Sequence, residues 1–128
     1  MRVLFIEDDP MNRRVVRDML QVAGVEMAEA ERGDIGLAMV EADAYDLLLV
    51  DLRMPGMDGL EVIRQVRARA DAKATVPIIV VTADTAVDLR DQCAAVGADD
   101  FLQKPVAMNA LFDSVGRMMA RGGSGALL

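Results

Sequence analysis

The chain has 128 residues and a formal net charge of −7, is 53% hydrophobic, and carries one cysteine and no histidine. That length fits one ordinary domain with a core of its own. The missing histidines exclude His-based acid–base chemistry, His metal ligands and a phosphohistidine carrier, the lone cysteine excludes an intrachain disulfide or zinc cluster, and the acidity argues against direct nucleic-acid binding, which draws on clustered Lys and Arg.

Val3 to Ile6 reads as a strand. Asp9-Pro10 opens a helix, with Asp9 as a candidate N-cap and Pro10 at the first helical position. Met11, Val15, Met19 and Val22 follow at helical spacing, and Gly24 closes the helix. Val25 to Ala30 is a weaker strand. Asp34 to Asp43 is a helix through Ile35, Leu37, Ala38 and Val40. Asp46 to Val50 contains the buried-strand run Leu-Leu-Leu-Val. Arg53 to Gly59 is a loop with turn residues Pro55, Gly56 and Gly59. Leu60 to Ala70 is a helix, and Asp71 to Thr75 a polar connection. Pro77 to Val81 is another buried strand. Thr85 to Val96 is a helix closed by Gly97. Ala98 to Leu102 is a short strand, and Ala107 to Arg121 the last helix. The tail over residues 122–128 reads as flexible from its Gly-Gly-Ser-Gly run.

This makes five β/α units without repeat. Uninterrupted apolar strands separated by helices predict a parallel sheet covered on both faces. A flavodoxin-like order 2-1-3-4-5 is the natural expectation, with the site outside the carboxyl ends of the strands. No apolar run reaches the ~18–20 residues that span a bilayer, and Arg2 before a short strand does not resemble a signal peptide. No membrane segment is expected, and a cytoplasmic protein is the default.

Strand 1 runs into Glu7-Asp8-Asp9, strand 3 into Asp51, strand 4 into Thr82-Ala83 and strand 5 into Lys104-Pro105. The expected fold brings them to one rim. Carboxylates so close repel unless a cation joins them. An all-oxygen set suits a hard divalent ion, Mg²⁺ first, with Mn²⁺ as a possible substitute. A lysine beside it suits a phosphoryl group. A carboxylate can itself be the nucleophile and form an acyl phosphate. Taken singly each residue is ordinary: an acid after a strand often only caps a helix, and Lys-Pro is usually a turn. Their order along four strands is what carries weight.

Glu7-Asp8-Asp9-Pro10, Asp51-Leu52-Arg53-Met54-Pro55-Gly56-Met57-Asp58-Gly59, Val81-Thr82-Ala83, Gly97-Ala98-Asp99 and Lys104-Pro105 resemble the signature of response-regulator receiver domains, across residues 2 to about 120. The resemblance implies a two-component or phosphorelay module that accepts a phosphoryl group on Asp51 from a histidine kinase or histidine phosphotransfer protein. It implies Asp8 as a direct metal ligand, Glu7 as its partner acting through water, and the Arg53 main-chain carbonyl as a further ligand. It implies Thr82 as the switch hydroxyl, Lys104 as the phosphoryl-pairing cation, a cis Lys104–Pro105 bond and Phe101 as the switch aromatic. A downstream protein would read the face formed by helix 4, strand 5 and helix 5. Two residues depart from the commonest pattern. The acid pair is Glu-Asp rather than Asp-Asp, and the aromatic is Phe, so a switch rests on packing without a hydroxyl. Arg53 and Asp84, two residues beyond Asp51 and Thr82, either pair across the pocket mouth or stand solvated.

The implied module occupies residues 1–121 and has weak self-catalysis rather than a metabolic activity. Other classes fit less well. An aspartate-nucleophile phosphohydrolase would usually place an acid where Arg53 stands. A flavin carrier would want a phosphate-cradling loop after strand 1, and that loop is acidic. A pseudo-receiver would not need the full acid, Asp, Thr and Lys set. Met1 directly before strand 1 favours a free-standing regulator over an excised one. Cys93 is expected to be a packing residue, and Met118-Met119 either core or a partner surface.

Overall fold

Short runs of Val, Ile and Leu make the three central strands, because branched side chains pack well on a pleat buried on both faces. The computed structural model describes residues 1–121 in full and carries the backbone of the last helix to Leu127. Its elements are β1 (Arg2–Ile6), α1 (Pro10–Val22), β2 (Glu26–Ala30), α2 (Gly33–Ala42), β3 (Leu47–Val50), α3 (Gly59–Arg67), β4 (Ile78–Thr82), α4 (Leu89–Val96), β5 (Asp100–Gln103) and α5 (Met108–Leu127). The five strands are parallel and stand in the order β2-β1-β3-β4-β5. The expected flavodoxin-like sheet is present. The tail expected to be flexible, 122–128, lies outside the fully described residues.

Strand alternation divides the core in two. Leu4, Ile6, Leu48, Val50, Ile78 and Val80 face α2, α3 and α4, which contribute Val40, Val62, Ile63, Val66 and Cys93. Val3, Phe5, Leu47, Leu49, Ile79 and Val81 face α1 and α5, which contribute Val16, Leu20, Leu111, Val115 and Met118. Cys93 and Met118 are thus packing residues, while Met119 is half-buried at the edge of the core.

Caps fix the helix starts nearest the site. Asp9 accepts from the Met11 N–H at 2.9 Å, with Pro10 in the first turn, as its sequence position predicts. Asp58 accepts from the Glu61 N–H at 2.9 Å and starts α3 one residue earlier than expected.

Several boundaries differ from the sequence reading; α3, for one, ends at Arg67 rather than Ala70. Helix α4 begins at Leu89, not Thr85. Asp84 accepts from the Ala86 N–H at 2.9 Å, a local turn that competes with helical pairing and leaves residues 85–88 an exposed loop. The polar connection holds a 3₁₀ turn, Ala72–Thr75, capped by Asp71. Strand β5 begins at Asp100, because the Ala98 N–H turns back onto the Cys93 carbonyl at 3.0 Å to close α4.

The Gly97-Ala98-Asp99 motif is structural. Gly97 adopts φ +111°, and a Cβ there would stand 2.8 Å from Arg67 Cγ. Asp99 accepts from the Ile78 N–H at 2.9 Å and from Arg67 at 3.0 Å, which ties α3 to the start of β4.

Candidate acidic site at the strand ends

The last rungs of the sheet set the site in place. The Glu7 N–H donates to Ala30 O at 2.9 Å, the Asp51 N–H to Ile6 O at 3.0 Å and the Lys104 N–H to Thr82 O at 2.8 Å. Each side chain therefore leaves the backbone where the ladder stops. The Lys104–Pro105 peptide is cis. Gly59 lets α3 start hard against the end of β3: a Cβ there would stand 2.4 Å from the Asp51 carbonyl oxygen. No other residue fits that approach without moving Asp51.

Glu7, Asp8 and Asp51 converge, with one ligand oxygen from each lying within 4.8 Å of the others. Glu7 and Thr82 are fully buried, Asp51 is buried and Asp8 is exposed. Lys104 Nζ is hydrogen-bonded to Glu7 Oε1 and stands 3.5 Å from Asp51 Oδ1. Burial pushes the Glu7 carboxyl above its ordinary range. A side-chain contact with Asp51 adds to that shift, and Lys104 opposes it. Three carboxylates against one ammonium leave an oxygen-rich, negatively charged pocket. That donor set fits a hard divalent cation of the Mg²⁺ kind.

The other candidates fall on the same rim. The Arg53 N–H lies 3.4 Å from Asp51 Oδ1, so the Arg53 main chain borders the Asp51 carboxylate. Its guanidinium pairs with the Asp84 carboxylate. That bond, the largest influence on Asp84, holds its carboxyl below the ordinary range. Thr82 Oγ1 accepts from the Asp84 N–H at 3.2 Å. Phe101 alone lies back from the rim, opposite Val80 near the start of β5, half-buried, with the Arg90 guanidinium 5.0 Å from its ring centroid.

Sequence reasoning missed three residues here. Arg13 of α1 donates to the Glu7 carbonyl at 2.7 Å and the Asp8 carbonyl at 3.2 Å. Gln103 donates to the Asp84 carbonyl at 3.1 Å. Arg90 covers Phe101. None carries a local signal, since each contact joins residues through the fold rather than along the chain.

The profile of the response regulator receiver domain matches residues 3–116. The chain belongs to the response regulator receiver domain family.

The receiver is 38% identical to the response regulator MprA of Mycobacterium leprae over 94% of its length and 52% of that protein's. It spans about half the length of the curated response regulators MprA it matches. Among solved structures it is similar to the chemotaxis response regulator CheY4 of Vibrio cholerae, with TM-score 0.83 and 32% identity over 91% of this chain and 97% of that one. It is also similar to a response regulator receiver protein from Pseudomonas putida, with TM-score 0.82 and 31% identity over 91% and 95%. Such receivers are signalling modules of two-component systems rather than metabolic catalysts. Among the described residues no helix is long and apolar enough to cross a membrane.

Proposed function

We propose that this receiver accepts a phosphoryl group on Asp51 from the phosphohistidine of a histidine kinase or phosphotransfer protein, in the cytoplasm, and that residues 1–121 are the module that does so. The observation that carries the reading is the convergence of Asp51 with Glu7, Asp8 and Lys104 at the carboxyl ends of three strands.

Mg²⁺, or Mn²⁺ in its stead, would be held by Asp8, Asp51 and the Arg53 carbonyl, with Glu7 reached through water. When bound it supplies charge neutralisation between carboxylates and phosphoryl oxygens. The residues then divide the work. An Asp51 carboxylate oxygen attacks phosphorus in line. The new O–P bond forms as the N–P bond breaks, and the imidazole keeps that electron pair. Lys104, already 3.5 Å from Asp51, neutralises charge on a phosphoryl oxygen. The Thr82 hydroxyl closes on another oxygen, and Phe101 fills the space behind it. A protein partner that prefers the resulting α4–β5–α5 face draws the population toward it. Hydrolysis of the acyl phosphate resets the module.

Incubation with acetyl phosphate and Mg²⁺ tests this. Mass spectrometry should find one labile phosphate, on Asp51. Asp51→Asn should abolish it, and Asp58→Asn, a helix cap in the same loop, should leave it near normal. Phosphate on any other residue overturns the reading.

A further inference from the structure

Chain geometry leaves the two acids of the rim in an awkward place. Glu7 makes the last pairing of β1 with β2, and Asp8 lies beyond the ladder. Their carbonyls point away from regular structure, in a segment that must hold two carboxylates in one orientation. Backbone polar groups at such a position need a partner. Arg13, one turn into α1, supplies it: one nitrogen, Nη1, donates to both the Glu7 carbonyl at 2.7 Å and the Asp8 carbonyl at 3.2 Å. The same guanidinium donates through Nε to Glu29 Oε1 of β2 at 3.0 Å. Glu29 also binds Arg17, one turn further along α1. Arg13 is largely buried, with 15% of its side chain exposed.

We propose that Arg13 is a positioning residue for the divalent cation, a clamp that fixes the Glu7–Asp8 backbone and is itself held in orientation by Glu29. The inference rests on the metal reading of the site above. Arg13 bonds the main chain of Glu7 and Asp8 rather than their carboxylates. It acts by removing the freedom of the peptide that carries both acids. A planar fork suits this task, because it serves carbonyls on one edge and a carboxylate on the other. Residues that orient metal ligands from behind are worth about 10- to 100-fold in affinity.

Charge and position make opposite predictions here. Arg13 is a cation near an acidic site, so if it acted only through its field, removing it would strengthen Mg²⁺ binding. A clamp predicts the reverse.

The test is calorimetric Mg²⁺ affinity in wild type, Arg13→Ala and Arg13→Lys, with melts in EDTA for each. Arg13→Ala should bind Mg²⁺ about tenfold more weakly. Arg13→Lys keeps the charge and one donor and should fall between. Unchanged or tighter binding in a folded Arg13→Ala protein overturns the clamp, even if the melt drops, since that drop alone is what a structural arginine gives. Should Arg13→Ala fail to fold, Arg13→Lys decides alone: wild-type affinity there overturns the proposal. Wild-type protein without Mg²⁺ affinity would overturn the metal reading itself, and the clamp with it.

Discussion

Lys104 is bonded to Glu7, the fully buried member of the acid pair, and only approaches Asp51, at 3.5 Å. The cation thus compensates the most desolvated carboxylate and leaves Asp51 the less committed of the two. Burial raises the Glu7 carboxyl, and Lys104 works against that shift.

Removing the lysine should therefore have two effects of opposite sign. Lys104→Ala leaves a buried carboxylate without its partner and should lower metal-free stability by about 1–3 kcal/mol. It also takes a positive charge from the rim, so Mg²⁺ should bind more tightly. Melts in EDTA and calorimetry with Mg²⁺ measure the two. Phosphotransfer should slow, and equal rates in mutant and wild type would remove the assigned role of Lys104.

Asp51→Asn should act in the other direction on stability. Folding forces Glu7, Asp8 and Asp51 together. Unit charges ~5 Å apart at an effective dielectric of ~20 repel by about 3 kcal/mol. Solvent at Asp8 and the nearby Lys104 reduce that, so neutralising Asp51 should stabilise the metal-free protein by about 1–2 kcal/mol. Mg²⁺ should stabilise wild type by mass action and the variant less. A lower melt for Asp51→Asn in EDTA would show that attraction, not repulsion, dominates the rim.

The Arg53–Asp84 pair offers a test of what sets phosphate lifetime. Arg53 is 76% exposed and Asp84 13%, so the pair adds little to stability. If Asp51 carries a phosphoryl group, the pair would narrow the approach of water to it. Arg53→Ala should shorten the lifetime of the phosphorylated form and barely move the melt. Decay indistinguishable from wild type would assign the pair no part in dephosphorylation.

Asp100 gives a pH signature away from the rim. Burial would raise its carboxyl, but Ser114, the Phe101 N–H and Arg117 outweigh that and hold it below its ordinary range. A depressed folded pKa adds stability that is present above the unfolded value, ~3.9, and is lost as pH falls through the folded one. Asp100→Asn should cost about 1–3 kcal/mol at pH 7. The gap between the two melts should narrow steadily below pH ~4. A gap constant down to pH ~2 would mean that shape, not charge, is what Asp100 contributes.

The strand ends were legible because β1, β3 and β4 each hold an unbroken apolar run, Val3 to Ile6, Leu47 to Val50 and Ile78 to Val81, that stops abruptly at Glu7, Asp51 and Thr82. A parallel sheet then leaves those residues only one rim to occupy. The start of α4 was not legible. Apolar spacing continues back through Ala86 and Val87, and what prevents helix there is the Asp84 carboxylate, committed to Ala86 and Arg53. Gly59 was visible only as a turn residue, although its actual constraint is the Asp51 carbonyl 2.4 Å from where a side chain would begin. Arg13 was invisible for a different reason. It binds main-chain carbonyls, and a sequence records nothing of where carbonyls point.

Arg90 over the face of Phe101 carries a last consequence. If the ring turns toward the core and Arg90 does not follow, the contact is lost, since the attraction depends on cation and ring remaining stacked. Such a movement of Phe101 would set Arg90 loose on the surface of α4. The face offered to a partner would then change in electrical character together with its contour, and a binding protein bearing a well-placed acid could sense the freed cation without touching the aromatic ring at all.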